Sequence, residues 1–119
     1  MKTIVHANAI LNSVKTAGAW LGFLSAEPVS ATSYTEVAGT GYARTAIPFG
    51  TVANGQVENS ADITVAGNLL NQKIQYIGIF SAASAGNLLR YYRVDGDEWI
   101  VNTTSPLVIG AGNLIIRET

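Results

Sequence analysis

Short apolar runs broken by glycine, asparagine and proline dominate the chain, and most are rich in aromatic and β-branched residues. That pattern predicts strands separated by tight turns. The central one is Gln75 to Arg90. Tyr76-Ile77-Gly78-Ile79-Phe80 reads as a buried strand, Ser81 to Gly86 as a turn of small residues, and Leu88 to Val94 as the returning strand. Gly78 inside the first strand predicts a bulge or a close backbone or ring contact. Gly86 and Asn87 suit left-handed turn geometry.

Ala19 to Ser25 is a further strand, ended by Glu27-Pro28 because Pro28 lacks a ladder donor. Val29 to Gly39 reads as a long polar loop. Gly41 to Phe49 reads as a second strand, with Tyr42, Arg44, Ala46 and Pro48 on one parity. Asn54-Gly55 is a strong hairpin signal before Ile63-Thr64-Val65. Leu69 and Leu70 are expected inside. Asp95-Gly96 and Gly112-Asn113 mark later turns, around short strands at Trp99 to Val101, Leu107 to Ile109 and Leu114 to Ile116. The last two fit either a terminal hairpin or one bent strand.

Only Met1 to Lys15 reads as a helix, although Thr3-Ile4-Val5 also suits a strand. Ile4, Ala7, Leu11 and Val14 form one stripe, and Gly18 is the expected stop. Such a segment either covers a sheet opening or docks on a partner. About eight strands in one sheet leave an apolar face wet, so two sheets must pack face to face. The expected fold is all-β: a two-sheet β-sandwich, with jelly-roll connectivity as one form, plus a short N-terminal helix. Residues 1–18 are the helical docking segment and 19–119 the β-sandwich domain. The expected core contains Trp20, Phe23, Ile47, Ile63, Ile77, Phe80, Leu89, Val108 and Ile115.

Composition changes the picture in one respect. Apolar types make up 48% of the 119 residues but charged types only 13%, about half the usual share. A surface so poor in charge suits coverage by neighbours. The net charge of -1 provides no field to gather nucleic acid or anionic lipid. The seven Lys and Arg are scattered, and Arg90-Tyr91-Tyr92-Arg93 is the only hint of a stacking patch. With no cysteine there is no disulfide, thiolate metal site or thiol nucleophile. His6, Asn8 and Asn12 interrupt any secretory apolar core, and Trp20 to Leu24 is too short to span a bilayer. The expectation is a soluble protein, outside membranes.

The chemistry needed for catalysis is sparse. His6 is the only histidine, and neither Ser25, Ser81 nor Ser84 sits on a strand-to-helix elbow. Gly39-Thr40-Gly41 resembles half of a phosphate loop but leads into a strand. Asp95, Asp97 and Glu98 read as a solvated acidic turn, short of the oxygen count calcium takes. No catalytic residue, cofactor or metal is expected.

Four segments carry a resemblance. They are Leu21-Gly22-Phe23-Leu24-Ser25 with Glu27-Pro28, Thr35 to Arg44, Val57 to Val65, and Gly78 to Leu89. In this order they resemble a family of small bacteriophage virion proteins of tail-fibre or minor structural type, related to capsid cement and decoration proteins. The resemblance implies a non-enzymatic virion component assembled in the host cytoplasm. Its partners would be the major capsid protein or other virion proteins, and a trimer is the implied oligomer. The leading expectation is a capsid cement protein bridging neighbouring capsid subunits. The alternatives are a tail- or tail-fibre-associated structural or adhesion protein, and a carbohydrate-binding β-sandwich module. The partner-contact candidates are Tyr34, Tyr42, Arg44, Arg90, Tyr91, Tyr92 and Arg93, with the 1–15 segment and the 30–40 loop.

Overall fold

The computed structural model describes residues 4–16, 19–94 and 98–117. Gly18, the side chain of His6 and the acidic turn at 95–97 lie outside the described residues, as do the side chains of Ile4 and Ala7. Among the described residues one helix, α1 (Ile4–Thr16), precedes ten strands: β1 (Trp20–Leu24), β2 (Thr45–Ala46), β3 (Gln56–Glu58), β4 (Ile63–Val65), β5 (Lys73–Ile74), β6 (Tyr76–Phe80), β7 (Leu88–Arg93), β8 (Trp99–Ile100), β9 (Leu107–Ile109) and β10 (Ile115–Arg117). None of the described helical residues forms a span long and apolar enough to cross a membrane.

The fold is mostly β with one short helix. β2, β1, β6 and β7 form one four-stranded sheet in that order. β1 and β6 are its central strands, and both are buried along most of their length. This explains their unbroken apolar sequences, since central strands covered on both faces need no polar side. The expected second sheet is instead three two-stranded ladders, β10–β3, β4–β9 and β5–β8. Side chains from all three ladders join Leu21, Phe23 and Ile79 in one core cluster.

β9 and β10 do not pair with each other. They pair antiparallel with β4 and β3, Ile63 opposite Ile109 and Glu58 opposite Ile115. Buried Asn59 sits at the break between these ladders. Its amide donates to the carbonyls of Ala61 and Gly110, both at 2.9 Å, and its Oδ1 accepts from the Leu114 N–H at 2.9 Å. The polar side chain replaces ladder bonds where the strands bend, so the backbone groups stay satisfied.

The expected strand from Gly41 to Phe49 is regular only at β2. Thr40 and Phe49 make isolated bridges to Asn68 and Asn59. Pro48 cannot donate, and its carbonyl accepts both the amide and hydroxyl of Ser60 instead.

Phe23, Ile47, Ile63 and Phe80 are buried as expected, and Trp20 and Ile77 are partly so. Leu89, Val108 and Ile115 are exposed, while their neighbours Leu88, Leu107, Leu114 and Ile116 are buried. At Leu89 the cause is a register shift between Ile79 and Phe80: Ile79 pairs with Arg90 but Phe80 with Leu88. Leu89 is the extra residue, and a one-residue shift exchanges the two faces. Leu69 is buried, but Leu70 points outward.

Helix α1 packs on its own domain. Leu11 is fully buried in the main core, with Val14 against it. Among the described residues two polar contacts hold the helix: Lys15 Nζ donates to the Gly50 carbonyl at 2.8 Å, and Asn8 Oδ1 accepts from the Gly55 N–H at 2.7 Å.

Candidate functional site

Three of the seven contact candidates, Tyr34, Tyr42 and Arg44, meet in one cluster over the outer face of the four-stranded sheet. Gly22 and Gly78 are directly paired across β1 and β6. The absence of side chains there admits the Phe80 ring: a Cβ on Gly22 would stand 2.7 Å from Phe80 Cε2, and one on Gly78 2.8 Å from it. Arg44 lies over this ring, its Cζ 3.7 Å from the centroid, and Tyr34 meets it edge-on at 5.1 Å.

The Arg44 guanidinium is buried and fully engaged. Nε and Nη2 donate to Glu36 Oε1 at 3.1 and 2.7 Å. Nη1 donates to the carbonyls of Ala82 and Ala85 at 3.0 and 2.7 Å, and Nη2 also reaches the Tyr34 hydroxyl. Glu36 uses its other oxygen to accept from the Tyr42 hydroxyl at 2.7 Å, and that hydroxyl accepts from the Phe23 N–H. Arg44 thus ties the 34–44 segment to the turn after β6. Burial works against its charge, but the bonds from Glu36 and Tyr34 outweigh that and raise its pKa above the ordinary value. Tyr42 is also shifted upward, first by burial and then by the adjacent Glu36 carboxylate.

Sequence reading missed Glu36, Phe80 and Gly22 as members of this cluster. The available signal was an arginine and a glutamate in a chain poor in charge, close to aromatic residues that need a polar partner.

The other four candidates lie on β7, an outer strand of the sheet. Tyr92 packs against the main core, and its hydroxyl is buried with no hydrogen-bond partner among the described residues. Tyr91 faces the other way, exposed, and meets Tyr76 edge-on at 5.6 Å. Arg90 is half-buried and Arg93 exposed, with Arg93 Cζ 5.8 Å from the Tyr76 ring. The Leu88 N–H donates to the Ala31 carbonyl, so the 30–40 loop begins beside this strand. Val29, Ala31, Leu89 and Tyr91 border a shallow groove there. Val29 is 86% exposed at the head of a turn closed by the Ser33 carbonyl and the Ser30 hydroxyl.

A second apolar depression, of about 130 Å³, is lined by Phe23, Ile77, Val94, Trp99, Val108 and Ile109. Trp99, Ile100 and Val108 are all exposed around it. Among the described residues no group of three acidic or histidine side chains is placed to hold a metal ion.

A β-rich domain that spends a buried ion pair on its own framework, and leaves an edge strand and apolar residues outward, has the make-up of a structural protein. The chain belongs to the phage family described as Podophage GP4 fiber I protein gp80, whose model matches residues 2–117. It is accordingly a virion structural protein of fibre type with a non-catalytic role. No curated protein matches the chain. The family supports the tail-fibre alternative better than the expected capsid cement.

Proposed function

We propose that this protein is a structural component of a phage tail fibre, joined to neighbouring virion chains along β7 and the adjoining 28–31 turn. The observation that carries this reading is the placement of β7 at the edge of the main sheet, with Leu89, Tyr91 and Val29 exposed beside it. An edge strand offers main-chain donors and acceptors to a partner strand, and exposed aromatic and aliphatic residues add buried area. Arg93 shares the face of Tyr91 on this strand, whereas Arg90 lies on the other face with Tyr92. The family description supports fibre rather than shell. On the same reading the domain is an irregular sandwich, one continuous sheet facing a broken second layer, and the fibre copy is a trimer as the resemblance implies.

Tyr34, Tyr42 and Arg44 act indirectly, by shaping the surface from beneath. Helix α1 has the same supporting role, since Leu11 belongs to the core.

The test adds full-length protein to particles assembled without it and locates it by electron microscopy. Labelling confined to tail fibres, weakened by Tyr91→Glu and by Val29→Asp, supports the proposal. Labelling across the capsid surface would restore the cement reading. Sedimentation of the purified protein reads the oligomer.

A further inference from the structure

We infer that Asn54 is a covalent modification site, an asparagine poised for deamidation, and that helix α1 guards it through Asn8. Asn54-Gly55 is the one Asn-Gly pair in the chain. It forms the two-residue turn between Ala53 and Gln56, which exchange hydrogen bonds at 3.0 Å in both directions. Asn54 has φ 53° and Gly55 φ 73°, the left-handed pair such a turn requires. Asn54 itself is exposed to water, whereas Gly55 is buried under the helix.

Deamidation at this pair begins when the Gly55 nitrogen attacks the Asn54 side-chain carbonyl carbon. The new N–Cγ bond closes a succinimide, the Gly55 nitrogen gives up its proton, and ammonia leaves. Water then opens the ring to aspartate or to isoaspartate. No oxidant or other reactant is needed. Glycine is the favourable following residue because no side chain obstructs ring closure.

In the folded protein the nucleophile is occupied. The Gly55 N–H donates to Asn8 Oδ1 at 2.7 Å. That bond keeps the proton on the nitrogen and engages the nitrogen with the helix. Release of α1 frees it. The product is consequential: isoaspartate adds a methylene to the backbone of a two-residue turn whose length sets the pairing of Ala53 with Gln56 and of Phe49 with Asn59. Deamidation would record how often the helix has lifted, and would prevent the turn from reforming as before.

The test is timed incubation of the full-length protein at mildly alkaline pH, followed by peptide mapping of the 51–56 region for the acid and isoaspartyl forms. The parent should deamidate far more slowly folded than in denaturant. Asn8→Ala should raise the folded-state rate several-fold, whereas Asn8→Asp, which retains an acceptor, should stay near the parent. Lys15→Ala, which removes the bond from the helix to the Gly50 carbonyl, should also stay near the parent. An unchanged rate in Asn8→Ala overturns the inference by showing that turn geometry alone protects. Equal acceleration in all three variants overturns it as general loosening. Hydrogen exchange in the parent provides a check independent of any variant: the Gly55 amide should exchange slowly, and exchange at the rate of an open turn amide would also overturn it.

Discussion

Arg44 holds its guanidinium carbon 3.7 Å from the centre of the Phe80 ring. The same ring covers the Gly22–Gly78 pair, so two glycines, one aromatic ring and one cation are packed together over the sheet. Glu36, Tyr34 and the carbonyls of Ala82 and Ala85 then complete the donor fork of the arginine.

Replacing Arg44 by Ala should cost about 3 kcal/mol, since it strands a partly buried carboxylate and two carbonyls. Glu36 retains some exposure, which places the cost at the low end for a broken buried pair. Arg44→Lys should recover only part of it, because an ammonium cannot reproduce the fork. Urea unfolding of both variants measures the difference.

Gly78→Ala should lose about 1–3 kcal/mol through overpacking, since the new Cβ meets Phe80 Cε2 at 2.8 Å and Leu88 Cδ1 at 3.0 Å. Combining it with Phe80→Leu should cost less than the sum of the two single losses. A double-mutant cycle reads that coupling.

Alkaline pH should weaken the fold through Tyr42. Its folded pKa lies above the ordinary tyrosine value, so the unfolded chain loses this proton first. The native state then binds more protons than the unfolded one, and stability falls as pH rises above about 10. Tyr42→Phe should flatten that limb of a stability–pH curve. It should also lower stability at neutral pH by about 1 kcal/mol, through loss of the bonds to Glu36 and Phe23.

Asn59→Ala should cost about 2–4 kcal/mol, because the Leu114 N–H and two carbonyls lose a buried partner. Hydrogen exchange should show the loss concentrated in β3, β4, β9 and β10, with β1 and β6 protected longest.

The turn after β6 should respond in opposite directions at two adjacent residues. Ala85 has φ 54° and Gly86 φ 69°. Ala85→Gly relieves left-handed strain and should stabilise by about 1 kcal/mol. Gly86→Val should destabilise by at least about 1 kcal/mol, since its Cβ also falls 2.8 Å from Ser81 Oγ. Thermal melts of the two variants should move apart around the parent.

Local chemistry made much of this protein legible in the sequence alone. The runs at Trp20 to Leu24 and Tyr76 to Phe80 determined two buried central strands, because only a covered strand can be apolar on both faces. Asn54-Gly55 determined its turn and Gly86 part of another, because few residues accept positive φ; beside Gly86 the second left-handed residue is Ala85, not the expected Asn87. Gly78 called for a bulge or a close backbone or ring contact, and tertiary structure chose the Phe80 ring. The helix stripe located Leu11 on the inner side. Tertiary structure decided what depends on long-range register. Leu107-Val108-Ile109 and Leu114-Ile115-Ile116 are apolar on either parity, so only pairing with β4 and β3 chose which residues turned inward. The register shift at Phe80 exchanged Leu88 for Leu89. The fate of Arg44 was decided in the same way. In the sequence it is a charged residue among candidate contacts, but Glu36, Phe80 and the Ala82–Ala85 carbonyls converge on it from distant positions, and only that enclosure makes burying a cation favourable.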